Sequence, residues 1–413
     1  MQKNTLKRSI NWKQGTALSL SAVIGCGILI LPATTARAIG PVSILVWAVV
    51  SFLMFPIVFV LGKLATKVPK AGGITSYATE AFGPTAGVVT SWIYLGSIPI
   101  GLPSIALSGT YYLKYFYPFS FEQLVLIAGG ILLIALFLNI KGIDLSSKVG
   151  TAVVIIILSL LVIAIIFSVP YVRLEAFRPF MPRGWQSIFS VISVIFFAFA
   201  GWEMIAPLAE EFENPRKDIP KSLFLSALLI TILYIAISYV TIGTGVYLEK
   251  DADTLLGALM SLYFGKFSGS IVAVVTLLIT FCTIHANIAG FSRIIYNQSR
   301  EGGFPQFLSK LHPRFQTPVA ALVTMGVGFT LVLGIYLFVS PDLNKVLELP
   351  GTVFLASYMI ALIAALKLLE QKSVGWWCAL ITLMICIIIY FTSGMVCLFP
   401  IILGSVGYVF YKF

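Results

Sequence analysis

Stretches with no Asp, Glu, Lys or Arg recur along the chain, and each is long enough to cross a bilayer as a helix. They are Gln14–Ala36, Pro41–Gly62, Phe82–Leu113, Gln123–Ile140, Val149–Val172, Gly184–Trp202, Ser222–Leu248, Phe267–Ser292, Phe315–Pro341 and Leu349–Leu366. A crossing takes about 20 apolar residues, because a helix rises ~1.5 Å per residue through a ~30 Å hydrocarbon core. A last run, Ser373–Tyr411, is about twice that length, with a turn expected at Thr392-Ser393-Gly394. The pattern predicts an all-α integral membrane protein with about 12 transmembrane helices. Composition agrees. Only 10% of residues are charged, against roughly 25% in a soluble domain, too few to cover a globular surface.

The net charge of +11 does not point to nucleic acid. With the N-terminus inside and the spans alternating, 19 of the 27 basic residues fall on the cytoplasmic side. That is the positive-inside bias. It predicts a multi-pass protein of the cytoplasmic (plasma) membrane with both termini cytoplasmic, the lipid bilayer as its surroundings and no nucleic acid partner. The loop carrying Arg173, Arg178 and Arg183 runs against the bias.

Enzymatic chemistry finds little support. All five cysteines lie in apolar spans, without disulfide or metal spacing. His285 and His312 are the only histidines, and no HExxH occurs. No nucleophile–base pair is visible. The chain is therefore expected to be no enzyme and to hold no metal and no cofactor.

Two spans carry their own interruptions. The first reads "SAVIGCGILILP", with Gly25-Cys26-Gly27 near its middle. After basic residues and an apolar run, Val23-Ile24-Gly25-Cys26 also mimics a lipoprotein cleavage site. Residues 27–36 stay apolar where a lipoprotein would continue as a polar tether. The sixth span reads "IFFAFAGWEMIAPLAEE", with Ala200-Gly201 and Glu203 inside it. Both segments reach a proline soon afterwards, Pro32 and Pro207. Paired interruptions at corresponding places in two halves point to the midplane binding site of an inverted-repeat transporter.

The physics supports that reading. Unwound backbone survives at membrane depth only where it is buried or lines a cavity. A break leaves free N–H groups on one side, which attract a carboxylate, and free C=O groups on the other, which attract an ammonium. Plain packing of small residues is the competing account of Gly25 and Gly27. Glu203 is an intramembrane acid, functional by default, with a structural acid near the cytoplasmic mouth as the alternative. His285 lies near Thr283 and Asn287 in "FCTIHANIAG". Residues two and four apart face partly different ways, so not all three can line one cavity. His285 is either a proton relay or a neutral histidine bonded between helices, and Asn287 is a candidate lining residue. Phe197, Phe199 and Trp202 flank the second break, as packing or as a cap over the ligand.

At this point a family resemblance enters. "VIGCGILILP", "KVPKAGGITSYATEAFG", "FFAFAGWE", "EEFENPRKDIPKS" and "SREGGFPQFLSKLHPRFQTP" occur in the order of similar motifs in the amino acid–polyamine–organocation (APC) superfamily. "SWIYLGSIPIGLPSIA" further resembles the bacterial subgroup that exports methionine and branched-chain amino acids. The resemblance implies a LeuT-like 5+5 inverted repeat with broken helices 1 and 6. Residues 1–413 would form a single transmembrane transporter domain. Residues 1–172 would be the first five-helix repeat, 184–368 the second, and 373–413 two additional helices.

The implied function is secondary transport of neutral L-amino acids by alternating access, in efflux or exchange of methionine or branched-chain substrates. The alternative is a proton-coupled importer of amino acids or amines. The substrate would lie against Val23, Ile24, Gly25, Cys26 and Gly27 of the first break and Phe197, Ala198, Phe199, Ala200 and Gly201 of the second. Its carboxylate would meet the backbone of Cys26 and Gly27, and its ammonium the carbonyls near Val23, Phe197 and Ala200. Asn287 would line the side-chain pocket. Phe197 would close over the substrate, and Glu203 would serve gating or proton sensing, with His285 a second proton candidate. Several relatives carry a lysine inside span five where others bind sodium. Here Val149–Val169 has none, the matching position lying near Ile157. No hydroxyl pair for sodium is evident in span eight, so the coupling ion is left open.

Overall fold

A capping box starts the first helix. The Asn11 side chain accepts from the Lys13 and Gln14 N–H groups, and the Gln14 side chain accepts from the Asn11 N–H in return. From there the computed structural model is helical almost throughout. It describes residues 6–25, 27–248, 259–260, 262, 268–341, 343–392 and 394–412. Cys26 and the side chain of Phe197 lie outside the described residues.

The helices are α1 (Trp12–Val23), α2 (Gly27–Ile39), α3 (Ser43–Lys67), α4 (Ile74–Phe82), α5 (Pro84–Thr110), α6 (Phe121–Ile140) and α7 (Ile143–Ser168). They continue as α8 (Phe189–Phe197), α9 (Pro215–Thr244), α10 (Ser268–Arg300), α11 (Val319–Val339), α12 (Leu343–Leu368), α13 (Val374–Thr392) and α14 (Leu398–Lys412). A 3-10 helix, Trp202–Glu211, follows α8. Among the described residues the one β-type pairing is an isolated parallel bridge between Ile10 and Phe212.

Ten helices among the described residues are long and apolar enough to cross a membrane alone. Two further crossings are each built from a pair of short pieces, α1 with α2 and α8 with the 3-10 helix. The two interrupted spans of the sequence are therefore the two broken helices of the fold. The long C-terminal run divides as expected: α13 ends at Thr392, and Gly394, with φ of 63°, begins the short 3-10 turn before α14.

The even number of crossings leaves both ends of the described chain on one side, here called the terminal face. Contacts agree, since Ile10 pairs with Phe212 and Phe410 near the C-terminus stacks on Trp92 near the start of α5. α4 lies on this face. Its preceding glycine, Gly73, has φ of 53° and lets Pro207 of the sixth span pack where a Cβ would stand, 2.7 Å away. α10 is the most enclosed of the long helices and α14 the least. The broken helices, α5 and α10 thus make the interior, while α11, α13 and α14 meet lipid with rows of exposed apolar side chains such as Leu331, Phe338, Ile388 and Phe410.

Candidate functional site

The first break begins where α1 runs out of helical partners. The Ile24 N–H still bonds the Leu20 carbonyl, but Ile24 leaves helical geometry at ψ of 81°. The Gly25 N–H then turns back to the Val23 carbonyl at 2.7 Å. The Ile24 carbonyl, stranded by the break, accepts from the Thr283 hydroxyl of α10 at 3.0 Å. This bond meets the requirement that buried backbone groups be paired.

The second break follows α8. The Ala198 N–H reaches back to Val194 and Ile195 carbonyls, and Phe199 to Phe196. The Ala198 carbonyl accepts from the Tyr234 hydroxyl of α9 at 2.9 Å. The backbone then swings through Gly201 at φ of 130°, a conformation that L side chains avoid. The Gly201 N–H donates to Glu203 Oε2 at 3.0 Å and to the Tyr358 oxygen at 3.3 Å. The Tyr358 hydroxyl itself donates to Glu203 Oε2. Glu203 thereby acts as a local cap for the broken backbone.

The two breaks touch. A Cβ at Gly201 would lie 2.6 Å from the Ala22 carbonyl oxygen, and one at Gly27 would lie 3.5 Å from the Ala198 Cβ. Beside this contact is a cavity of about 90 Å³. Val23, Gly25 and Gly27 line it from the first break, and Ala198, Ala200 and Gly201 from the second. Thr283 and Asn287 of α10 line it as well. Their i, i+4 spacing puts them on one face, and the Asn287 amide N–H donates to the Thr283 carbonyl at 2.8 Å.

His285, two residues from each, turns away. It is buried, stacks on Phe281, and faces Gly150 of α7 rather than the cavity. It is not among the cavity-lining residues. Phe199 also lies outside the lining: fully buried, it packs on Trp47 and Tyr234 with ring centroids 6.1 and 4.8 Å away. The Ile24 side chain is likewise buried in packing and not in the lining. Glu203 sits at 1% exposure behind the lining. Its Oε1 has no hydrogen-bond partner among the described residues.

Much of the cavity was not read from the sequence. Ser97, Ile98 and Gly101 of α5 and Pro350 and Phe354 of α12 complete it. A signal existed in the small residues of "LGSIPIG", since a Cβ at Gly101 would approach Pro350 to 3.1 Å. Tyr234, Tyr358 and Thr283, which hold the broken ends, gave no signal beyond being polar groups in apolar spans. The lining carries Ser97, Thr283 and Asn287 as its polar side chains and no Lys, Arg, Asp or Glu among the described residues. It suits a ligand whose charges are met by backbone and whose side chain is uncharged.

Toward the terminal face from the cavity lies a set of buried and half-buried ion pairs. Arg293 Nε donates to Glu211 Oε1 at 2.6 Å, with both side chains almost fully buried. Arg293 also bonds the Ala289 carbonyl and the Ser292 hydroxyl. The Glu211 carbonyl accepts from the Ser9 and Ile10 N–H groups, tying the N-terminal segment to the end of the sixth span. Beyond it Arg300 holds Glu210 through two hydrogen bonds, and Glu210 accepts from the Ala71 N–H before α4. Arg293 is thus buried within α10, and Glu211 is a buried acid beside Glu203 in the sixth span.

The chain matches the family model described as "Amino acid permease" over residues 10–412. It is 46% identical to the uncharacterized amino acid permease YecA of Bacillus subtilis, covering 98% of this chain and 96% of that protein. It is 28% identical to the L-methionine/branched-chain amino acid exporter YjeH of Escherichia coli, over 89% and 88% of the two chains. It is 25% identical to the branched-chain amino acid permease BcaP of Bacillus subtilis, over 77% and 73%. With helices that span the membrane, two of the spans broken at a shared cavity, the chain belongs to the amino acid permease family of the APC superfamily, a multi-pass transporter and not an enzyme.

Proposed function

We propose that the protein is a secondary transporter of neutral L-amino acids, working by alternating access in efflux or exchange of methionine or branched-chain substrates. One observation carries the reading: two broken helices meet at an apolar cavity whose described lining has no charged side chain. The backbone ends are left to bind the α-carboxylate and α-ammonium. Val23, Gly25, Gly27, Ala198, Ala200, Gly201 and Asn287 are the binding residues in this reading. Similarity to the exporter named above favours the direction. The N-terminal and C-terminal repeats, 1–172 and 184–368, would rock about the cavity while 373–413 stay peripheral. The terminal face is the cytoplasmic one in this reading, in the cytoplasmic membrane. The test is flux of labelled methionine and leucine in inside-out and right-side-out vesicles. Movement in neither orientation overturns it.

A second reading, proton-coupled import, is favoured by the Glu203 carboxylate, whose Oε1 is buried without a partner. Glu203→Gln separates the readings. A flux that loses its pH dependence in this variant supports coupling, and an unchanged profile removes it.

A further inference from the structure

The segment carrying Arg173, Arg178 and Arg183, which runs against the positive-inside bias, joins α7 to α8 on the face opposite the termini. One of these arginines reaches the first span. Arg183 Nη1 donates to the Ala38 carbonyl at 2.6 Å. Ala38 lies in the last turn of α2, where carbonyls lack a partner within the helix. A guanidinium there also meets the negative end of the helix dipole. The same segment holds the chain just beyond α2. The Val42 N–H donates to the Phe180 carbonyl at 2.9 Å, and a Cβ at Gly40 would stand 2.6 Å from Pro182 Cγ.

A second arginine ties the same helix end to α9. Arg37 Nε donates to the Tyr247 carbonyl at 2.7 Å, just past the end of α9. The segment of Arg183 is itself fixed to α9. The Arg173 N–H donates to the Gly243 carbonyl at 2.8 Å, and Phe177 stacks on Tyr239 with ring centroids 5.4 Å apart. Both arginines therefore join the outer end of α2 to one body, α9 with the segment lying on it.

The inner end of α2 is the first break. Gly27 starts the helix and lines the site cavity. A helix of 13 residues is about 20 Å long, so the arginines act at one end of a lever whose other end touches the site. Between them Trp47 Nε1 donates to Thr35 Oγ1, a buried bond to α3. The Arg183 bond is exposed and can exchange for water, while the buried one loses its partner if broken.

We propose that Arg183 and Arg37 are positioning residues of the transport cycle: they clasp the outer end of α2 to α9 and set how often the cavity opens to the face opposite the termini. This rests on the alternating-access reading above.

The test uses the full chain in membrane vesicles, with Ile105→Cys as reporter. Ile105 is the cavity-lining residue of α5 farthest from the terminal face. An impermeant maleimide is added outside, and label at residue 105 is read by peptide mass, so native cysteines do not enter the signal. Glu122→Cys on the clasp face and Glu213→Cys on the terminal face, both at exposed positions, identify the face each preparation presents. From the clasp face, Arg183→Gln should speed labelling about threefold, and Arg183→Gln with Arg37→Gln about tenfold, the scale of charge-assisted bonds partly replaced by water. Arg183→Lys, which still donates a charged N–H, should return the rate to near that of the reporter alone. Arg178→Gln, exposed in the same segment, should change nothing. Equal acceleration by Arg178→Gln and Arg183→Gln, or none in the double variant, overturns the clasp. The readout needs no substrate. A protein that moves neither methionine nor leucine yet shows this ranking keeps the clasp and loses the substrate assignment.

Discussion

A Cβ at Gly201 would stand 2.6 Å from the carbonyl oxygen of Ala22. The sixth span therefore crosses the first at backbone contact, and only glycine permits it. The same residue has φ of 130°, so a side chain there is excluded both by the neighbour and by its own backbone. Gly201→Ala should lower the melting temperature and reduce methionine or leucine flux at least tenfold, while Ala200→Gly, beside it, retains most activity. Proteoliposome flux with matched protein amounts checks both.

Thr283 closes the first break by donating to the Ile24 carbonyl. Thr283→Val keeps the shape but leaves that carbonyl unpaired, a loss of about 1–3 kcal/mol at a buried site. Thr283→Ser should restore most of the stability and flux. A series in which Val and Ser behave alike in thermal unfolding would remove this bond from the account.

Tyr358 and Glu203 hold the second break together through the Gly201 N–H. Tyr358→Phe removes one partner from each, and the expected outcome is a raised KM for substrate with a drop of several degrees in Tm. Glu203→Ala should be more damaging than Glu203→Gln, because the amide can still accept from Gly201. Unfolding curves followed by intrinsic fluorescence give the ranking.

The Arg293–Glu211 pair is buried on the terminal side of the cavity, where alternating access would need a gate. Removing one partner strands a charge, at about 3–5 kcal/mol. Glu211→Gln should therefore favour the conformation open at that face. A cysteine at Ser97, in the cavity lining, should then react faster with an impermeant thiol reagent applied from the terminal side. The double variant Glu211→Leu with Arg293→Met, which leaves no orphan charge, should recover the lost stability.

Asn287 offers the cavity an uncharged polar group beside Thr283. Asn287→Asp adds a carboxylate to a lining that has none, and methionine transport should fall by about tenfold through electrostatic mismatch with the substrate carboxylate. Competition assays with neutral and basic amino acids would register the shift.

The run lengths between charges and the paired interruptions at Gly25–Gly27 and Ala200-Gly201 were enough to give the class, the number of crossings and the two places where helices break. Hydrocarbon imposes those features locally: backbone must be paired within a helix, so an interruption is visible one residue at a time. The tertiary structure decided which polar groups repair the breaks. Tyr234, Tyr358 and Thr283 come from three other helices, 36, 157 and 259 residues away from Ala198, Gly201 and Ile24. It also decided that Asn287 faces the cavity while His285 faces Gly150, a choice of helix rotation. In an almost uniformly apolar chain the hydrophobic pattern does not orient a helix. Only the packing of small residues and the pairing of buried polar groups between helices fixes that rotation.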